Sequence, residues 1–259
     1  MIELPTERST VINYNPKLMI LFGRPKSGKS SIAASLDSNL IIDLEDGYRS
    51  LSAMVVQARS ARDIFEIANA IQAKITENKG KYPYRFITID NATRLEEMSL
   101  SYAASLYRAT PMGTNWQMVK NPKTGLLEPN PKADVRTLPN GSGYLYMRLA
   151  IKKLVDIFKP LCETLILICH VKDKQVRKDA QEISELSLDL AGKTGDIISG
   201  EADAIGLVYR EDNKTYISFE GGDNTLKEAR PLHLRGKKFV VATSDENNNL
   251  NIDTSSIFI

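Results

Sequence analysis

Cysteine is nearly missing from this chain. Cys162 and Cys169 are the only two in 259 residues. Seven positions apart, they fit neither a C-x-x-C motif nor a zinc-ligand spacing, and Cys169 reads as a core thiol at the end of an apolar run. A charge excess is missing too. Lys and Arg number 34 against 32 Asp and Glu, a formal net charge of +2, so any nucleic-acid contact must come from local basic patches rather than a global field. No apolar run approaches the length of a membrane span. The opening MIELPTERST is polar and shows no apolar core of a secretory leader. These absences lead to the expectation of a soluble protein from a reducing cytoplasm. Internal repeats and low-complexity blocks are also lacking. Hydrophobic residues at 42% and charged residues at 25% are ordinary for a globular chain, and the length suits one elaborated α/β domain.

What is present is organised around Gly23 to Ser30, GRPKSGKS, which fits G-x-x-x-x-G-K-[ST]. Ahead of it lies the strand-length apolar run Leu18 to Phe22, and behind it Ser31 to Leu36 can begin a helix. Gly23 and Gly28 allow backbone shapes that a Cβ would obstruct. The N–H groups of the loop, Gly23, Arg24, Lys26, Ser27, Gly28, Lys29 and Ser30 around Pro25, and of Ser31 at the helix N-terminus can then converge on phosphate oxygens. Lys29 is expected to reach the β- and γ-phosphates and the Ser30 hydroxyl to ligate Mg²⁺. A site for a nucleoside triphosphate follows.

Residues 1–16 read as a polar arm, and 17–259 as one domain. Strands are expected at 17–22, 40–43, 86–90 and 164–169, each a short apolar run of the kind buried on both faces of a parallel sheet. Between them, Ile64, Ala68, Ile71 and Ile75 mark one face of a helix that ends near Gly80. Leu95, Met98, Tyr102 and Leu106 mark a second, and Tyr144 to Phe158 forms a third. Residues 109–143, with five prolines, and the polar stretch 171–200 read as irregular loops. Short strands at 204–209, 215–219 and 238–243 read as an antiparallel extension. The expected class is α/β: a mostly parallel sheet flanked by helices, with antiparallel strands at one edge.

Ligands of open α/β sheets sit at the carboxyl ends of the strands. Those ends offer Asp43 and Glu45, Asp90, and His170. Asp90, after four β-prone residues, reads as the acid that holds Mg²⁺ through water, with a helix-capping role as the plainer reading. Asn91 suits either a phosphate contact or a structural turn. Glu45 is the candidate general base for an attacking water, with Asp43 and Asp46 competing for that part. His170 can hydrogen-bond the γ-phosphate, with an ordinary structural histidine as the plainer reading.

With these residues in order, the chain resembles the RecA-like core ATPases. In that family the second strand ends in Asp, one residue and Glu, as Asp43-Leu44-Glu45 does here. The resemblance implies that Glu45 is catalytic, Asp90 is the metal aspartate, and the residue ending the next parallel strand senses the γ-phosphate. Glutamine is usual at the last position, and His170 stands there instead. Segments GRPKSGKS, DLEDGYRSL, GSGYLYMRLAIKKL, LILICHVKDK and DLAGKTGDIISGEADAIG are also similar to short phage nucleotide-binding proteins, some of them single-strand annealing recombinases. That likeness implies ATP and Mg²⁺ as cofactors and a homo-oligomer in the host cytoplasm. It implies single-stranded DNA and a single-strand-binding protein as partners. The DNA loops would carry Lys120, Lys123, Lys132 and Arg136, with Trp116 able to stack on a base, and then Lys172, Lys174, Arg177 and Lys178. Solvated surface lysines and a packed tryptophan are the plain alternative. Arg230, Arg235, Lys237 and Lys238 are the basic residues available to complete a neighbour's site. The expected function is a DNA-stimulated ATPase of phage recombination or replication. A phosphate-loop phosphotransferase and a nucleotide-dependent loader acting on a protein are the competing readings.

Overall fold

The computed structural model describes residues 4, 6, 7, 10, 12–178, 181–222, 225–245 and 250–259, with backbone alone at 176–178 and 181–184. The elements in chain order are β1 (Leu18–Gly23), α1 (Lys29–Ser35), β2 (Asn39–Asp43), β3 (Met54–Gln57), α2 (Ala61–Glu77), β4 (Phe86–Asp90) and α3 (Ala92–Arg108). A small hairpin, β5 (Met118–Lys120) and β6 (Leu127–Pro129), precedes α4 (Gly143–Asp156). Then come β7 (Thr164–Lys178), β8 (Gln181–Leu188), α5 (Thr194–Glu201), β9 (Ala204–Glu211), β10 (Lys214–Ser218), β11 (Glu228–Ala229), β12 (Lys238–Ser244) and β13 (Leu250–Ile252).

Among the described residues the main sheet has 11 strands, ordered β13-β12-β10-β9-β1-β7-β4-β2-β3, with β11 on β9 and β8 on β7. From β9 to β3 every neighbouring pair is parallel. Strands β10, β12 and β13 continue the sheet antiparallel. Every residue of β1, β2 and β4 is buried, as central parallel strands require. Alternate side chains serve opposite faces. Leu18, Ile20 and Phe22 join a core with Ile64, Ala68, Ile71 and Ile75 of α2 and with Leu154 of α4. Met19 and Leu21 meet Ile32 of α1 and Ile257 of the C-terminal segment. Each fully buried aliphatic side chain contributes roughly 1.5–3 kcal/mol. The face expected of α2 is the buried one, and Ser60 with Asp63 closes its N-terminus as a reciprocal capping box.

Three expectations need correction. First, residues 171–200 are not an irregular loop. β7 runs 15 residues, the first part inside the sheet and the rest paired with β8 from Val171↔Leu188 to Lys178↔Gln181. Cross-strand pairing of a polar ribbon leaves no apolar periodicity to read. After β8, Glu96 of α3 accepts the Ala191 amide at 2.9 Å through one carboxylate oxygen, and α5 follows. Burial pushes the Glu96 carboxyl above its usual range, against the pull of that hydrogen bond. Second, 204–209 is not part of the antiparallel extension on both sides: β9 pairs parallel with β1, Met19↔Ala204 to Phe22↔Leu207, and antiparallel with β10 and β11 on its other side. Third, β3 is an added parallel strand at the sheet edge, four residues long and mostly exposed, so Asp90 ends the fourth parallel strand in chain order. The 109–143 segment is irregular around its small hairpin, yet Ala133, Val135 and Leu138 are buried against α3 and α4.

Candidate nucleotide site

The phosphate loop leaves β1 at Gly23, whose backbone lies so close to β9 that an added Cβ would stand 2.3 Å from the Val208 carbonyl oxygen. It enters α1 at Gly28, with φ of 102°, a left-handed conformation that side chains resist. Between them Arg24, Pro25 and Lys26 are exposed at the loop tip and Ser27 is buried. A cavity of about 340 Å³ opens over the loop, lined by Lys29, Ser30 and Ser31 and by residues from the strand ends, including Glu45, Tyr48, Asp90, Asn91, His170 and Arg210.

Lys29 is 5% exposed. Its ammonium donates to the Gly23 and Arg24 carbonyls at 2.9 Å each and to Ser27 Oγ at 3.4 Å. Burial lowers its pKa below the ordinary lysine value, and the nearby Asp90 charge opposes that shift. On the facing side, Asp90 Oδ2 accepts two hydrogen bonds, from Ser30 Oγ at 2.8 Å and from the Tyr48 hydroxyl at 2.6 Å. Burial pushes the Asp90 carboxyl up, and the Tyr48 and Ser30 donors pull it back. The Tyr48 phenol is itself raised, first by burial and then by the Asp90 charge. A serine hydroxyl beside a carboxylate is a hard-oxygen pair that suits Mg²⁺, which takes few protein ligands and completes its shell with water and phosphate oxygens.

The acids after β2 separate by their partners. Asp43 Oδ1 accepts the amides of Glu45, Asp46 and Gly47 at 3.0, 2.9 and 3.3 Å, so Asp43 shapes the turn. Asp46 binds Arg49 and Gln57. The Glu45 carboxylate, at the cavity wall, has no partner among the described residues. Asn91 caps α3, its Oδ1 accepting the Arg94 amide at 2.9 Å. Its amide nitrogen therefore faces His170 Nε2 at 3.1 Å and donates to it. The ring proton then sits on Nδ1, a buried atom with no hydrogen-bond partner among the described residues. His170 lies beside Gly23 in the β1–β7 register.

The residues expected to contact DNA are scattered in character. Lys120, Lys123 and Lys132 are exposed, and Arg136 is paired with Asp134 at 2.6 Å. Trp116 is half-buried, edge-on to Tyr107 at 5.2 Å, with Arg108 over its ring at 5.8 Å. Lys172 donates to the Leu190 carbonyl and Lys174 pairs with Asp196 at 3.2 Å. The side chains of Arg177 and Lys178 lie outside the described residues. Arg230 pairs with Asp203 at 3.1 Å, and Arg235 donates to the Ala229 and Arg230 carbonyls at 3.2 and 2.9 Å. The Arg230 amide donates to the Asp203 carbonyl and the Asp203 amide to the Leu18 carbonyl, so Arg230 and Arg235 sit where β1 begins, at the strand end opposite the phosphate loop. Lys237 and Lys238 are exposed elsewhere: the registers set Lys238 level with Leu207 and so with Phe22, just ahead of the phosphate loop, and its ammonium lies over the Tyr216 ring at 5.0 Å.

Tyr48 and Arg210 were not among the expected site residues. Tyr48 looks like part of a polar acidic turn, although a lone aromatic amid DLEDGYRSL hints at a buried anchor. Arg210 is at the carboxyl end of β9, a position that matters only once β9 is known to be parallel.

The sheet order sets one strand, β7, between the strand of the phosphate loop and the strand of Asp90, a RecA-like arrangement. A family model described as an AAA domain matches residues 15–242. The crystal structure of the RadB recombinase is similar with a TM-score of 0.49 and 10% sequence identity, over 93% of this chain and 92% of that one. No curated protein matches in sequence. With the phosphate loop in place and the family model spanning most of its length, the chain belongs to the AAA domain family of nucleotide-binding proteins.

Proposed function

We propose that this protein hydrolyses ATP with Mg²⁺ and couples turnover to its hold on single-stranded DNA, in phage recombination or replication, as a homo-oligomer. The free carboxylate of Glu45 is the observation that carries hydrolysis. Asp43 and Asp46 are both engaged elsewhere, which leaves one acid at the cavity wall able to take a proton from water. Lys29 would meet the β- and γ-phosphates with an ammonium already desolvated and aimed by two loop carbonyls. Ser30 and Asp90 would hold Mg²⁺, which when bound neutralises charge building on the phosphate oxygens. As water attacks the γ-phosphorus and the bond to the β-bridging oxygen breaks, Glu45 takes the water's proton, leaving ADP and phosphate.

Tyr48 supports this reading by fixing Asp90, since both donors use Oδ2 and leave Oδ1 without a hydrogen bond among the described residues. Tyr48→Phe keeps the ring and removes one hydrogen bond to a charged group, which costs about 1.5–3 kcal/mol. The expected result is that loss in denaturant unfolding, together with a roughly tenfold higher Mg²⁺ requirement for ATP binding by calorimetry. Equal Mg²⁺ dependence in the two proteins would contradict the role.

DNA contact is supported by the exposed Lys120, Lys123 and Lys132 and by the β7–β8 ribbon that carries Lys174 beyond the sheet. Changing these four lysines together to glutamine is expected to weaken oligonucleotide binding at least tenfold. It should also flatten the slope of log affinity against log salt by about 0.7 per lost phosphate contact. Unchanged affinity and slope would remove DNA from the proposal. ATPase assays with and without the oligonucleotide, and with a nucleoside monophosphate as acceptor, tell DNA-stimulated hydrolysis from phosphate transfer.

A further inference from the structure

The chemistry of the cavity is lopsided. Glu45 and Tyr48 follow β2, Asp90 and Asn91 sit at the end of β4, and His170 belongs to β7, whereas Arg210 stands alone on β9. The order β9-β1-β7-β4-β2 puts the phosphate-loop strand between the two groups. A triphosphate that sets its γ end against the acids and Ser30 therefore runs its α end toward β9.

Arg210 is exposed, and among the described residues its guanidinium has no hydrogen bond or ion pair. Its place is nonetheless defined. The β9–β10 pairing sets Arg210 opposite Thr215, which is buried beside the loop. A Cβ built on Gly28 would lie 3.4 Å from Thr215 Cγ2 and 3.7 Å from Arg210 Nη2. A phosphate held by this loop is thus within reach of a cation that nothing else in the described chain engages. A guanidinium offers two parallel N–H donors, a shape that matches two oxygens of one phosphate.

We infer that Arg210 binds the α-phosphate of the nucleotide from within the same chain, at the end of the triphosphate remote from Glu45 and Asp90. This rests on the nucleotide reading of the cavity. Arg210 differs in kind from Arg230 and Arg235, which are committed to their own chain at the amino end of β1, away from the phosphate loop.

Calorimetric titration of the full chain with ATP, and separately with inorganic tripolyphosphate, tests the contact. Arg210→Ala is expected to weaken both ligands at least tenfold. Arg210→Lys should recover only part of the loss, because a point charge replaces a fork. The melting temperature without ligand should not move, since the side chain is exposed and unpaired. Undiminished ATP affinity in Arg210→Ala overturns the inference. So does a loss confined to ATP, which would set the side chain on the nucleoside instead. If the unaltered protein binds neither ligand, the nucleotide reading falls with it. If the unaltered protein binds, Lys29→Ala fails and Arg210→Ala binds normally, only the Arg210 contact is lost.

Discussion

Lys29→Ala is expected to lower ATP affinity at least ~100-fold, about 2.7 kcal/mol or more, while the fold stays intact. Lys29 is 5% exposed, and burial holds its pKa below the lysine norm. Folding has therefore met the desolvation cost before any ligand arrives. The charge is held by carbonyls of Gly23 and Arg24 that are neutral, and a triphosphate offers it full negative charges instead. Truncation removes that charge-assisted contact and also takes from Asp90 the cation that opposes its burial-raised pKa. The carbonyls left behind border an open cavity, so water can satisfy them and the fold is spared. Thermal unfolding provides the check alongside calorimetry. A ligand at 100 times its dissociation constant stabilises a protein by about 2.7 kcal/mol. The unaltered chain should show an ATP-dependent rise in melting temperature that Lys29→Ala lacks. A ligand-induced rise of equal size in both proteins would mean that the cavity does not bind triphosphate through this lysine.

The loop, the central strands and the acids at their ends are legible in sequence because their constraints are local. Gly23 and Gly28 answer to backbone geometry within one turn. Runs such as Phe86-Ile87-Thr88-Ile89-Asp90 declare burial on both faces followed by an acid. What stays hidden depends on partners far away in the chain. β9 opens on a short apolar run that suits either direction, and its parallel pairing with β1 joins residues about 185 positions apart in the chain. The β7–β8 ribbon is polar on both strands, so only register, not composition, makes it a hairpin. Met54–Gln57 is too short and too exposed to stand out, being an edge strand covered on one side only by β2. Tyr48 meets Asp90 across 42 positions, and Arg210 meets Gly28 through a strand pairing. Both belong to the cavity by folding, not by any motif. Trp116 shows the converse. A lone tryptophan in an irregular segment invites a stacking role, and its packing against the cluster of Tyr107, Tyr146 and Val135 is set by residues distant in sequence.

Glu45→Gln separates binding from turnover, and the outcome expected is an ATP affinity within threefold of the unaltered protein with kcat reduced at least ~100-fold, the low end for loss of a general base. Glutamine keeps the size and the polar end but cannot accept a proton from water at neutral pH. Nothing in the described structure leans on the lost charge. The Glu45 carboxylate has no partner, its backbone amide is held by Asp43, and its side chain is exposed at the cavity wall. Stability should therefore change by no more than about 0.5 kcal/mol. Neighbouring acids offer little rescue. Asp43 spends one oxygen on three amides of the turn, and Asp46 is tied to Arg49 and Gln57. Asp90 accepts from Ser30 and Tyr48 and would be shared with Mg²⁺. Single-turnover phosphate release is the decisive measurement, because it reads the chemical step apart from product release. Full single-turnover rate in Glu45→Gln would move the general base elsewhere. Loss of ATP affinity in the same variant would make the carboxylate a binding group, and the hydrolysis proposal would then lose the observation that carries it.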